Sequence, residues 1–98
     1  MYKIDLTKQA AKDAKLLERD GMKPKAAELI KIIRKDPYQN PPPYEKLKGD
    51  FKGLYSRRIN KQHRLVYDVL PNADNVKDES AEPYKGIVKI IRMWTHYE

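Results

Sequence analysis

The chain has 98 residues, room for one compact domain but not two. It contains no cysteine, which excludes a disulfide framework and thiolate metal ligation. Its 21 Lys and Arg against 14 Asp and Glu leave a net charge of +7; such an excess favours a polyanionic partner through counterion release, the alternative being a solvated lysine-rich surface.

No apolar run approaches the roughly 18 residues that span a bilayer. The opening MYKIDLTKQ lacks the apolar core of a signal peptide. A soluble, cytoplasmic protein is expected. Tyr2–Leu6 alternates apolar and polar residues, as a short opening strand does. Thr7 can cap a helix by accepting a free backbone N–H, and the residues from there to Arg19 are good helix formers. Ala10, Ala14 and Leu17 give that helix a narrow apolar stripe, and Asp20-Gly21 ends it.

Pro24 marks the start of a second helix, at a position with no N–H to lose. Ala26, Leu29, Ile30 and Ile33 form the strongest periodic signal in the chain, and Pro37 stops the helix near Lys35. Pro41-Pro42-Pro43 forbids helix and ladder pairing, so Tyr38–Tyr44 reads as a stiff extended connector. Leu54–Ile59 and His63–Leu70 then read as two strands of a hairpin with Asn60-Lys61-Gln62 as its loop. That loop sets Ile59 opposite His63 and Arg58 opposite Arg64. One face would carry Ser56, Arg58, Arg64 and Val66, the other Tyr55, Arg57, Leu65 and Tyr67.

The segment 71–86 holds two prolines and has four acids against two lysines. It is long for a strand connection and is expected to be a mobile surface loop. Ile87–Trp94, rich in Ile and Val, is the last expected strand and a central one. A strand, two helices and three strands make a single α+β domain over residues 1–98, with the helices on a twisted antiparallel sheet.

Seven cations, Lys46, Lys48, Lys52, Arg57, Arg58, Lys61 and Arg64, lie between the connector and the second hairpin strand. Two arginines paired on one face repel unless an anion sits between them, and a phosphate suits their guanidinium forks. The alternative is that Arg57 or Arg58 pairs with Asp50 or Asp68. Glu45 stands alone after the proline run; it is either a general base held on a rigid loop or a solvated surface carboxylate. His63 reads as structural. His96, between Trp94 and Tyr97, is either exposed or a proton donor, since an unperturbed imidazole titrates near neutrality. Tyr97 can stack on a base, as aromatics do on single-stranded RNA. Two separated histidines without cysteine do not make a zinc site, and no phosphate-binding glycine motif is present. No metal or cofactor is expected.

The run EKLKGDFKGLYSRRINKQHRLVYDV, Glu45–Val69, together with the later His96-Tyr97 pair, resembles the YoeB/Txe toxins of the RelE superfamily. The helical half is similar in pattern and length only. The resemblance implies a RelE-like, microbial-ribonuclease-like fold and a metal-free endoribonuclease that cleaves mRNA in the ribosomal A site and so inhibits translation. It implies Glu45 as general base, His96 as general acid, Arg64 as stabiliser of the scissile phosphate and Tyr97 as the residue orienting the substrate. Lys48 and Arg58 would be phosphate contacts, a role also expected of Arg57. The implied partners are the ribosome with its mRNA and an acidic antitoxin of the YefM/Axe kind; no membrane is involved, and a homodimer stays open. Two features depart from the family pattern. Glu98 follows Tyr97, where it would either favour the protonated form of His96 or point into solvent. The 71–86 loop is longer than usual. Two other functions stay open: a non-catalytic ParE-like inhibitor of gyrase, and a plain RNA- or ribosome-binding protein.

Overall fold

The first helix begins where a side chain replaces a missing backbone partner. In the computed structural model, which describes residues 1–93, the Thr7 hydroxyl accepts from the Ala10 N–H at 3.0 Å and donates to the Ile91 carbonyl at 2.9 Å. One residue thus caps α1 (Lys8–Arg19) and ties it to the far end of the chain. Gly21, at φ +75°, closes α1: its N–H reaches Glu18 O and the Met22 N–H reaches Leu17 O. This left-handed cap is one that a Cβ would strain. The second helix, α2 (Lys23–Lys35), follows at once and buries Ala26, Leu29 and Ile33.

Both helices lie against one face of a five-stranded sheet. The strands are β1 (Lys3–Leu6), β2 (Glu45–Lys46), β3 (Tyr55–Arg58), β4 (Arg64–Leu70) and β5 (Ile87–Arg92), in spatial order β1-β5-β4-β3-β2. Leu65 and Tyr67 from β4 and Val88 and Ile90 from β5 join Ala10, Leu17, Leu29 and Ile33 in a single core. The α+β expectation holds, and β5 is interior as its composition suggested. The sheet, however, is mixed: β1 pairs parallel with β5, Ile4 opposite Val88 and Leu6 opposite Ile90. The two helices carry the chain from β1 to the far edge strand β2, and the antiparallel run β2-β3-β4-β5 brings it back beside β1. β2 is a short edge strand that the proline-rich approach concealed; it sets Glu45 opposite Ser56. The hairpin register is the expected one, with Arg58 opposite Arg64. Asn60 fixes the loop, its side-chain oxygen accepting the N–H groups of Gln62 and His63 at 2.8 and 2.7 Å.

Two segments depart from expectation. The connector after α2 bends at Pro41-Pro42 instead of running straight. The 71–86 loop is internally bonded: Asn72 donates to the Val76 and Tyr84 carbonyls, Asp78 accepts from Ser80 and Glu82, and Lys77 bridges to Pro83. Its polar side chains bond to nearby backbone, which turns a long connection into a folded one. Gly86 leads from it into β5, where a Cβ would lie 2.9 Å from both Leu70 O and the Tyr2 ring. Among the described residues no helix is long and apolar enough to cross a membrane.

Asp13 sits on the apolar stripe of α1 and is fully buried. Its carboxylate accepts from Arg92 Nε at 2.8 Å, the Met93 N–H at 3.0 Å and Gln9 Nε2 at 3.0 Å. Burial alone would raise its pKa, but the hydrogen bonds from Arg92, Met93 and Gln9 outweigh that and hold it below the usual carboxylate value. Asp13→Ala would remove the acceptor shared by the Arg92 Nε and the buried Met93 N–H and is expected to cost about 1–3 kcal/mol at neutral pH. With the folded pKa depressed, the share of this contribution that belongs to the ionised carboxylate is complete above the unfolded pKa of about 4 and is lost as pH falls through the lower folded value. The gap between thermal melts of the two proteins across pH 2–7 should therefore narrow toward the acid end; a gap independent of pH would disprove the assignment.

Candidate functional site

Strand alternation divides the basic segment into two populations. On β3, Ser56 and Arg58 point away from the helices and Tyr55 and Arg57 point toward them; on β4, Arg64 joins the first set and Leu65 the second. β2 adds Glu45 to the outer set through its pairing with Ser56. The result is a cavity of about 220 Å³ lined by Pro43, Tyr44, Glu45, Ser56, Arg58 and Arg64. Glu45 Oε2 lies 3.8 Å from Arg64 Nη1, with 67% of the Glu45 side chain and 26% of the Arg64 side chain exposed. A pair this long and this exposed holds the two groups near each other at little energetic gain. The cavity thus offers one carboxylate able to take a proton and two guanidinium groups able to hold a phosphate.

Lys48 is in a neighbouring cleft rather than in this cavity. That cleft, about 410 Å³, has Leu47, Leu54 and Tyr55 as walls and Lys46, Lys48 and Lys52 among its lining residues. Positive backbone at Gly49 (φ +66°) and Gly53 (φ +95°) turns the chain around it.

Arg57 departs from its expected role as a phosphate contact. It is 1% exposed, on the helix side of the sheet. Its Nη1 donates to Pro42 O at 2.6 Å, its Nη2 to Pro37 O and Gln39 O at 3.0 and 2.9 Å, and its Nε to Tyr67 Oη at 3.1 Å. The guanidinium also lies 5.0 Å from the centre of the Tyr44 ring. Tyr67 in turn donates to Pro37 O at 2.7 Å. Burial pushes the Tyr67 phenol above its ordinary pKa, with Arg57 opposing. Tyr38, Tyr44, Tyr55 and Tyr67 pack ring against ring, with neighbouring centroids 5.4–6.3 Å apart. This cluster and Arg57 hold the connector whose end carries Glu45. The seven tyrosines against one phenylalanine were its signal in the sequence.

His63 is buried, as a structural histidine would be, and its carbonyl closes the hairpin with the Ile59 N–H at 2.9 Å. His96 and Tyr97 lie outside the described residues. The last described residue, Met93, is the one whose N–H Asp13 holds.

Fold and cavity define a small α+β domain with an anion-receptive site on the sheet face opposite its helices. Residues 5–97 match the family described as YoeB-like toxin of bacterial type II toxin-antitoxin system, and the chain belongs to that family. Toxin YoeB of Synechocystis sp. is 44% identical over 57 residues, 58% of this chain and 59% of that protein. The match thus spans less than two thirds of that relative's length. Among solved structures, a YoeB/ParE toxin from Agrobacterium tumefaciens superposes with a TM-score of 0.75 at 28% identity, covering 97% of this chain and 99% of that one. The Staphylococcus aureus YoeB, solved in complex with YefM, gives 0.69 at 32% identity over 99% of both chains. The same toxin solved as a dimer gives 0.70 at 33% identity over 98% of both.

Proposed function

We propose that this toxin is a ribosome-dependent mRNA endonuclease that inhibits translation by cutting in the A site. The observation that carries the reading is the placement of Glu45 beside Arg64 in a cavity also lined by Arg58. In the proposed reaction Glu45 accepts the proton of a ribose 2′-hydroxyl. The 2′-oxygen forms a bond to the adjacent phosphorus, and the bond from phosphorus to the 5′-oxygen breaks. His96 donates a proton to that leaving oxygen. The products are a 2′,3′-cyclic phosphate end and a 5′-hydroxyl end. Arg64 stabilises the charge that builds on the phosphoryl oxygens, with Arg58 beside it. Tyr97 orients the nucleotide, and Lys48, in the adjoining cleft, contacts a neighbouring phosphate of the strand.

The same surface suits an acidic antitoxin. A disordered acidic segment folding over the cavity would neutralise Arg58 and Arg64 and occupy the substrate's place. The YefM complex and the dimer of the Staphylococcus aureus relative support an antitoxin and a second copy of the chain as partners. The reaction places the protein in the cytoplasm, with the ribosomes.

The test is to map mRNA ends in a translating extract. Wild type is expected to create new ends within the A-site codon, to leave ribosome-free mRNA intact, and to lose the cuts on His96→Ala. Absence of cuts, with gyrase-dependent DNA breaks in their place, would move the assignment to a ParE-like inhibitor. Ribosome binding without cuts would leave only a binding protein.

A further inference from the structure

Ser56 lies within β3, only 2% exposed, and among the described residues its Oγ has no hydrogen-bond partner. A buried hydroxyl without a partner is uncommon and costly, since it gives up water and gains nothing. Alanine at this place would remove that cost with almost no change in volume. Ser56 is one of the residues lining the cavity with Glu45 and the two arginines: Glu45 is its direct cross-strand neighbour, and Arg58, two residues on, shares its face.

We propose that Ser56 is a further substrate-binding residue, whose hydroxyl donates a hydrogen bond to a non-bridging oxygen of a phosphate held between Arg58 and Arg64. The chemistry of the cavity selects this role. Phosphate oxygens only accept, guanidinium groups only donate, and a hydroxyl adds a third donor from the sheet itself. A short O–H···O⁻ bond to an ionised oxygen is among the stronger hydrogen bonds available. The group is idle in the free protein because the Glu45–Arg64 pair, at 3.8 Å, spans the same cavity. When phosphate takes Arg64, the hydroxyl gains its acceptor. Taking the ligand as the scissile phosphodiester of mRNA rests on the ribonuclease reading; the phosphate subsite itself does not.

The discriminating property is that binding and stability move in opposite directions. Inorganic phosphate is titrated into wild type and Ser56→Ala while the backbone amide signals of residues 56, 58 and 64 are followed by NMR, and both proteins are melted without ligand. Ser56→Ala is expected to bind phosphate about five- to tenfold more weakly and to melt at the same or a higher temperature. Equal affinities, or no saturable phosphate binding by wild type, would overturn the proposal. A lower melting temperature for Ser56→Ala would also overturn it, because the hydroxyl would then have a structural partner. If phosphate binds as expected but wild type makes no mRNA cuts, the subsite stands and the ribonuclease reading falls.

Discussion

Replacing Arg57 by alanine is expected to lower stability by about 4 kcal/mol, close to the whole stability of a marginal domain of this size. That corresponds to a melting temperature lower by roughly 20 °C. The size of the effect follows from what the guanidinium satisfies. Pro37, Gln39 and Pro42 turn their carbonyls inward, and the proline-rich connector has few N–H groups with which to pair them; one arginine donates to all three and to Tyr67 Oη, with Pro37 O keeping a second donor in the Tyr67 hydroxyl. Each buried acceptor left unpaired costs about 1–3 kcal/mol, partly offset by removing a buried charge whose partners, among the described residues, are carbonyls, a hydroxyl and a ring. Lysine keeps the charge but presents a single nitrogen and cannot reproduce the fork, so Arg57→Lys should be nearly as damaging. The neighbouring Arg58→Ala should melt within about 0.5 kcal/mol of wild type, as ordinary surface changes do. Equilibrium unfolding in urea measures both. If the Arg57 variants were as stable as wild type and bound RNA more weakly, Arg57 would be a phosphate contact after all.

The contrast between Arg57 and Arg58 shows what could be read from the chain alone. The hairpin register was legible because it depends on local chemistry: a three-residue loop with an asparagine that caps its own backbone, between strands of alternating pattern. That register already placed Arg57 with Tyr55, Leu65 and Tyr67, an apolar company that signals burial. Charge counting put it with the phosphate contacts instead, because its acceptors lie 15 to 20 residues away on a connector that was expected to be straight. Asp13 hid for the same reason. Its position on the stripe of Ala10 and Leu17 called for a buried partner, and that partner, Arg92, is 79 residues distant. The parallel pairing of β1 with β5 is likewise a long-range choice, and a four-residue strand carries too little pattern to announce it. Within the site, Glu45, Arg58 and Arg64 meet because β2 adds to the hairpin edge; the sequence marked the residues, and the two-residue strand that unites them is too short to recognise from sequence.

Glu45→Gln is expected to reduce mRNA cleavage on the ribosome by about 10²- to 10⁴-fold, the range for losing a general base. The substitution keeps the shape of the side chain and an oxygen facing Arg64, and removes only the ability to take a proton. Because the pair it replaces is long and exposed, folding stability should change by less than about 1 kcal/mol. The same carboxylate admits a different interpretation, in which it merely holds Arg64 in place until substrate arrives. The two interpretations separate in a double-mutant comparison. If Glu45 takes the proton while Arg64 stabilises the phosphate in one transition state, Arg64→Ala alone should cost about 10²- to 10³-fold, and the double variant should be much less impaired than the product of the single losses, because groups that act as a unit are not additive. If Glu45 only positions Arg64, Glu45→Gln should be nearly silent, since an amide oxygen can hold a guanidinium as well. Single-turnover cleavage of a programmed ribosome measures all three variants. A Glu45→Gln rate within about threefold of wild type would remove Glu45 from the chemistry and leave the arginines as an anion-binding pair alone.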